Sequence, residues 1–492
     1  MREPYSSILM LALSAVSSAS AENPDSAKQW PQFRGPKGHA IASAQQVPHQ
    51  FTKTNTQWKR PVPEGSSSPI IWGNKLFLTG MDGKTLSVLC YNRLTGVELW
   101  RDELRCEFEE DYQHDDCTPA AATSCCNGEQ LISSFGTFGL IAHDMLGKEL
   151  WRRKFQNRSD AFGSGSSPIL SGGNVFFLRD TSQYSALFCL DAKSGKVQWS
   201  AQRSGFAASY STPYLWERAD TTELVVAGSG SLDGYDPETG EQLWTVTGLP
   251  AFICPSPVAN DDRLVFGAWT TANVGGEERT RAGFASDVQL TELESSNAAA
   301  FMKRFDQDAD GYISRSELPA SRFLDAFRFI DHDKSDTWDM PELQGFFDSK
   351  PAAGRNLLVA IKPGGRGDIT DTHVLWESTK NLPYVSSPLI YKKRVYCLKK
   401  GGLLTSWDLE TGEMQRPMRM GVGGEYYATP IAIGDHIMIA AARGAVMFVS
   451  VVDGKARIIA KNTFESGIAA TPAVIDQTLY IRTDKYLYAI RN

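Results

Sequence analysis

Long apolar runs are scarce in this 492-residue sequence. The run from Ile8 to Val16 is too short to cross a bilayer, and no later stretch is long enough, so no membrane span is expected. A surplus of positive charge is also missing. Lys and Arg number 50 against 57 Asp and Glu, a net charge of −7 with no basic stripe, which argues against nucleic acid as a partner. No C-x-x-C-H occurs, so covalent haem is not supported.

The early apolar run has a different reading. It follows Arg2 and ends in small residues, with Ala19 and Ala21 at the −3 and −1 positions of a cleavage site before Glu22. Residues 1–21 are therefore expected to be a secretory signal peptide. No cysteine follows the cut, so a lipid anchor is not indicated. The mature chain is expected to be soluble and exported, periplasmic or extracellular. Export permits disulfides among Cys90, Cys106, Cys117, Cys125, Cys126, Cys189, Cys254 and Cys397, but pairing is not readable from spacing. Cys106 and Cys117 flank the acidic stretch "EFEEDYQHDD" and could staple it. Cys90 and Cys189 sit inside apolar strand patterns and read as buried, inert thiols.

What the sequence does have is repetition. A Ser-Pro or Thr-Pro opening an apolar stretch recurs at Pro69, Pro119, Pro168, Pro213, Pro257, Pro388, Pro430 and Pro472. The spacings are 50, 49, 45, 44, 131, 42 and 42 residues. Most repeats hold four short strand patterns, and the fourth often ends in Trp: Trp100, Trp151, Trp199 and Trp244 fall 31, 32, 31 and 31 residues after their prolines. Four short strands every 42 to 50 residues is the pattern of a β-propeller blade. The glycine of each T-G-x-x-x-W supplies the positive φ of a tight hairpin. After Pro472 only 20 residues remain, enough for three strands. "NTQWKRP" around Trp58 matches "KELWRRK" around Trp151, so a strand at 55–62 is expected to complete the last blade. The expected fold is all-β, an eight-bladed propeller closed by this N-terminal strand, with blades one to five in 22–273 and five to eight in 355–492.

The 131-residue spacing exceeds a repeat by about two repeats, and the excess falls inside blade five. Residues 274–354 are helical in character and read as an inserted EF-hand pair, a small α-helical unit that a surface hairpin loop tolerates at little closure cost. In "DQDADGYISRSE", Asp306, Asp308 and Asp310 take positions 1, 3 and 5. Gly311 stands at 6, the Tyr312 carbonyl at 7, Ser314 at 9 and Glu317 at 12. Every position suits a seven-coordinate hard cation, so calcium is the expected ion. In "DHDKSDTWDMPE", Asp331, Asp333, Ser335, the Thr337 carbonyl, Asp339 and Glu342 hold positions 1, 3, 5, 7, 9 and 12. Asp336 replaces the turn glycine at a cost of about 1 kcal/mol, so this loop is expected to bind more weakly. Phe323, Phe327 and Ile330 of the linking segment share one helix face and read as core.

The repeats resemble the pyrroloquinoline-quinone-type propeller family, which includes quinoprotein alcohol dehydrogenases and the propeller lipoprotein of the outer-membrane barrel assembly machinery. "WPQFRGPKG" at 30–38, "IKPGGRGDITDTHVLW" at 361–376 and "NLPYVSSPLIY" at 381–391 are similar to exported propellers of planctomycete-type bacteria. Arg366-Gly367-Asp368 belongs to that second motif and is given no adhesive role. The resemblance implies the fold throughout the mature chain, and raises a quinone cofactor held over the channel with calcium, a catalytic aspartate and often a vicinal disulfide. Cys125-Cys126 tempts that transfer, but "CCNG" falls where each repeat has its first hairpin turn, opposite the loops that precede the Ser/Thr-Pro strands. Pyrroloquinoline quinone is therefore possible but not favoured. Those preceding loops converge on a channel mouth and supply His114, Asp115, Asp116, Tyr210, Tyr384, Glu425 and Tyr427. They could receive a protein or carbohydrate ligand or serve to pack the ring; no nucleophile–base pair is readable. The favoured function is a calcium-stabilised binding or assembly scaffold, with a quinone-dependent alcohol or sugar dehydrogenase and a calcium-regulated adaptor as rivals.

Overall fold

The computed structural model describes residues 29–492 other than 45, 106–116, 156–162, 164, 182–184, 204–207, 271–287, 320, 322–323, 325–326, 328–329, 332–334, 349–353 and 453–455. Residues 1–21, expected to be a signal peptide, Cys106, His114, Asp115, Asp116, Phe323, Asp333 and the start of the insert lie outside the described residues.

Short apolar runs separated by Gly, Asp and Asn turns leave each repeat one way to satisfy its backbone, an antiparallel meander. Blade one shows the pattern: Ile70–Trp72, Lys75–Asp82, Thr85–Asn92 and Glu98–Arg105 pair in that order. The inner strands of blades two to seven are Cys125–Cys126, Ile169–Ser171, Tyr214–Glu217, Val258–Ala259, Leu389–Tyr391 and Ile431–Ile433. Blade eight is built from Ala473–Ile475, Thr478–Arg482 and Tyr486–Ile490, with Thr56–Pro61 as its outer strand. The ring is an eight-bladed propeller closed by the N-terminal strand.

Two devices join the blades. The first is a closed ring of hydroxyls. In turn, the backbone N–H groups of Ser68, Thr123, Ser167, Thr212, Ser256, Ser387, Thr429 and Thr471 donate to the hydroxyl of the next residue in the series, and Thr471 returns to Ser68, at 2.9 to 3.2 Å. All eight residues are buried. This ring corrects the register of blade two. Thr123-Ser124, not Thr118-Pro119, stands at the Ser/Thr-Pro position. Thr118 to Ala121 form an extra turn, and the Ala120 carbonyl accepts from Ser66 and Ser67. Cys125 and Cys126 are correspondingly strand residues and not turn residues.

The second device explains the T-G-x-x-x-W pattern. The turn glycine of each such blade lies under the tryptophan of the preceding one. A Cβ on Gly96, Gly147, Gly195, Gly240 or Gly412 would lie 2.5 to 2.7 Å from Trp58, Trp100, Trp151, Trp199 or Trp376 respectively. Each indole N–H donates to a carbonyl of that neighbouring turn, as Trp58 does to Arg93 at 3.0 Å and Trp151 to Ala192 at 2.7 Å. Trp244 departs from this because blade five lacks the short turn. Its indole donates to Glu223 at 2.7 Å, and Gly367-Asp368 pair in parallel with Trp244-Thr245, covering the outer edge of blade four.

Between the second and third strands of blade five, Leu264–Ala268 and Leu357–Ile361, stand the helices Glu292–Ser296, Ala298–Phe305 and Met340–Asp348. They share a core of their own that includes Phe301, Phe305, Ile313, Phe327, Ile330, Trp338 and Phe347. Among the described residues no helix is long and apolar enough to cross a membrane.

Candidate functional site

Residues 29–42, read from sequence only as part of a motif, run across the inner strands as a plug. Gln29 and Trp30 pair with Trp72 and Ile71 of blade one. The Pro31 carbonyl accepts from Cys126 of blade two at 2.8 Å. Lys37 pairs with Glu217 of blade four at 3.2 Å. Ala40 and Ala42 exchange backbone bonds with Ala432 of blade seven, each 2.9 Å. Arg34, 1% exposed, donates to the carbonyls of Pro257 at 2.8 Å and Pro388 at 3.1 Å in blades five and six. Trp72 and Cys126 end their strands, so the plug enters at the hairpin-turn end and Arg34 reaches towards the hydroxyl ring.

The hydroxyl ring joins the starts of all eight inner strands, so the segments just before them emerge together at the opposite end. Tyr210, Tyr384, Glu425 and Tyr427 stand there, all half-buried. Each of three is tied to a neighbouring segment. Tyr210 N–H donates to Ile253 O at 2.8 Å, the Tyr384 ring meets Trp269 edge-on at 5.8 Å, and Glu425 pairs with Lys400. Phe252 joins this end unannounced by any motif. It is 38% exposed at φ +52°, a strained conformation for a bulky residue, and its N–H is held by the Ser229 hydroxyl at 2.9 Å. Beneath lies a buried ionic group. Arg203 donates to Asp180 and Asp233, both at 3.1 Å, and to the Tyr235 hydroxyl at 2.5 Å. Burial pushes the Asp180 carboxyl up to about 6, against the pull of Arg203. Its members come from the strand ending at Asp180, the residue after the strand Val197–Gln202 and the strand Ser231–Tyr235, so no local pattern could have revealed it.

In the first loop of the insert, carboxylate oxygens of Asp306, Asp308 and Glu317 lie within 4.8 Å of one another. Asp306 accepts from the N–H groups of Asp310 at 3.1 Å and Gly311 at 3.0 Å, while Gly311 takes φ +89°. Asp310 itself accepts from Tyr312 N–H at 2.8 Å. Burial opposes ionisation of Glu317, but N–H and O–H donation from Ser314 and N–H donation from Gln307 and Asp308 outweigh it and hold its carboxyl below the usual range. The donor set is oxygen throughout, which fits a hard cation. In the second loop, Asp331 accepts from Ser335 N–H at 3.0 Å, and Ser335 Oγ donates to the Thr337 carbonyl at 3.1 Å. Asp339 and Glu342 exchange backbone-to-carboxylate bonds of 3.0 and 2.8 Å. Asp336 stands at φ +59°. The loops pair through Ile313 and Trp338, both fully buried.

Closed ring, hydroxyl ladder and tryptophan-under-glycine packing define the class: an eight-bladed β-propeller repeat protein. The sequence profile of the family described as outer membrane protein assembly factor BamB matches residues 137–276 and 341–492, more than half of the chain, and the chain belongs to that family. The structure of BamB from Moraxella catarrhalis is similar at a TM-score of 0.53 and 13% identity, covering 89% of this chain and 99% of that one. Quinohemoprotein alcohol dehydrogenase from Comamonas testosteroni superposes at a TM-score of 0.55 with 10% identity, covering 95% and 81%. A europium-containing methanol dehydrogenase does so at 0.52 with 12% identity, covering 92% and 89%. At these identities the likeness is one of fold. No curated protein sequence matches the chain.

Proposed function

We propose that the protein is an exported propeller that works as a binding or assembly scaffold, with calcium held in the insert. The observation that carries this is the plug. With residues 29–42 seated on six blades at the hairpin-turn end, the other end becomes a rigid platform. Tyr210, Phe252, Tyr384 and Tyr427 offer it aromatic surface, suited to a protein segment or a sugar. Membership in a family described as an assembly factor supports the protein partner.

The proposal takes residues 1–21 as the signal peptide and 274–354 as an EF-hand pair. It gives Asp306, Asp308, Asp310, Tyr312, Ser314 and Glu317 to one calcium, and Asp331, Asp333, Ser335, Thr337, Asp339 and Glu342 to a weaker second. His114, Asp115 and Asp116 belong to the proposed mouth by their place in the repeat. The adjacent thiols Cys125 and Cys126 do not fit a cofactor at that mouth. Both are buried in the inner strand of blade two, and the Cys126 N–H is bonded to the plug.

The test is a titration of residues 22–492 with pyrroloquinoline quinone and with calcium, read by calorimetry and melting temperature. Saturable calcium binding that raises the melting temperature, with no saturable quinone binding, is expected. One equivalent of quinone bound, with its absorbance retained through gel filtration, would replace the scaffold by a dehydrogenase.

A further inference from the structure

The plug does more than fill the ring: it leaves a cavity of about 210 Å³ between itself and blades three and four. This cavity lies away from the proposed mouth, since its solvent side is marked by Ser171 and Glu217, the last residues of their inner strands. Its charged lining is Arg34, Lys37 and Glu217. Lys37 and Glu217 pair with each other and are 65% and 41% exposed, so they cancel. Arg34 remains, a buried cation that donates to three backbone carbonyls, of Ser256, Pro257 and Pro388, and to no carboxylate. Its Nε is buried without an acceptor. Burial pushes the guanidinium down to about 10, with only the Tyr214 phenol acting against it. A buried charge of this kind is costly unless a counter-charge reaches it. The rest of the wall mixes apolar groups, among them Phe33, Ile169 and Leu215, with uncharged polar ones such as Gln32 and Thr212.

We propose that this cavity binds a small organic anion, a carboxylate with a short apolar body, its charge facing Arg34 and its body on the apolar part of the wall. The site is built from residues that sequence distance separates widely and is independent of the scaffold reading.

Sodium benzoate is the probe, titrated into residues 22–492 at constant ionic strength against sodium chloride, followed by calorimetry and melting temperature. Saturable benzoate binding with a raised melting temperature is expected. Ser171→Trp, which fills the cavity from its solvent side and leaves the Arg34 cation in the chain, is expected to abolish it. Lys37→Gln leaves the Glu217 carboxylate unpaired at the rim, facing the incoming anion, and is expected to weaken binding by up to about fivefold. Absence of saturable binding up to tens of millimolar overturns the proposal. So does benzoate binding that Ser171→Trp leaves unchanged, or inorganic phosphate binding as tightly as benzoate.

Discussion

Single atoms decide how this ring holds. Each hydroxyl of the inner circle accepts a buried N–H from the preceding blade, so removing one leaves a buried donor without its acceptor. Thr429→Val keeps the side-chain shape but strips the acceptor of Ser387 N–H, and is expected to cost about 1–3 kcal/mol in urea unfolding. Thr429→Ser, which retains the oxygen, is expected to cost less. His39 supplies a second prediction. Burial first, and then the cations Arg34 and Lys37, lower its pKa to about 4 against an ordinary 6.5. The folded state therefore holds this proton less tightly than the unfolded chain. Stability from this group is complete above the unfolded pKa and is lost as pH falls through the folded one. The melting temperature is expected to drop between pH 6.5 and 4, with about 2–3 kcal/mol at stake, and His39→Gln is expected to flatten that part of the profile.

Among elements, the insert is the one with its own core and its own chemistry. Trp338 stacks on Phe327 at 4.7 Å and donates to its carbonyl at 2.9 Å, placing a fluorophore against the paired loops. Calcium addition is expected to change Trp338 emission and to raise the thermal transition, both reversed by chelator. Asp306→Asn is expected to weaken calcium binding at the proposed first-loop site by about one to two orders of magnitude in calorimetry, because affinity follows ligand charge. Asp336 at φ +59° is held in a conformation that glycine adopts freely. Its ion pair with Arg315, 3.5 Å between side chains 48% and 84% exposed, contributes little. Asp336→Gly is therefore expected to stabilise the insert by about 0.5–1 kcal/mol. The loop spacing is what made the calcium proposal readable from sequence, since one continuous dozen residues supplies each set of oxygens. The channel plug had no such signature, because its partners lie on six different blades.

The whole molecule depends on its two ends meeting. Thr56–Pro61 covers the edge of Tyr486–Ile490, and Arg482 locks the seam by donating to carbonyls of Ser67 at 3.1 Å, Thr79 at 2.9 Å and Pro63 at 3.1 Å. A chain beginning at residue 43 lacks the plug but keeps the closing strand. It is expected to stay unaggregated in gel filtration, with a melting temperature several degrees lower. A chain beginning at residue 63 exposes a long paired-strand edge and is expected to aggregate. Equal behaviour of the two would remove strand closure as the reason the ring is stable.

Periodicity alone determined that this chain is a ring of eight blades, because each repeat carries its own strands, turns and tryptophan within about 45 residues, the usual length of a blade. It also placed the closing strand, since a last repeat one strand short needs a partner from elsewhere. It misplaced blade two by five residues. Thr118-Pro119 imitates the repeat signal locally, and only the hydroxyl ring reveals that Thr123 is the true member. Tertiary structure alone decided the rest: Arg34 beneath the ring, the Asp180–Arg203–Asp233 group, the cavity beside the plug and the strained Phe252. These arise where residues far apart in sequence are forced together without water. Desolvation, hydrogen bonding and charge pairing at such places depend on distance in space, and no spacing along the chain encodes it.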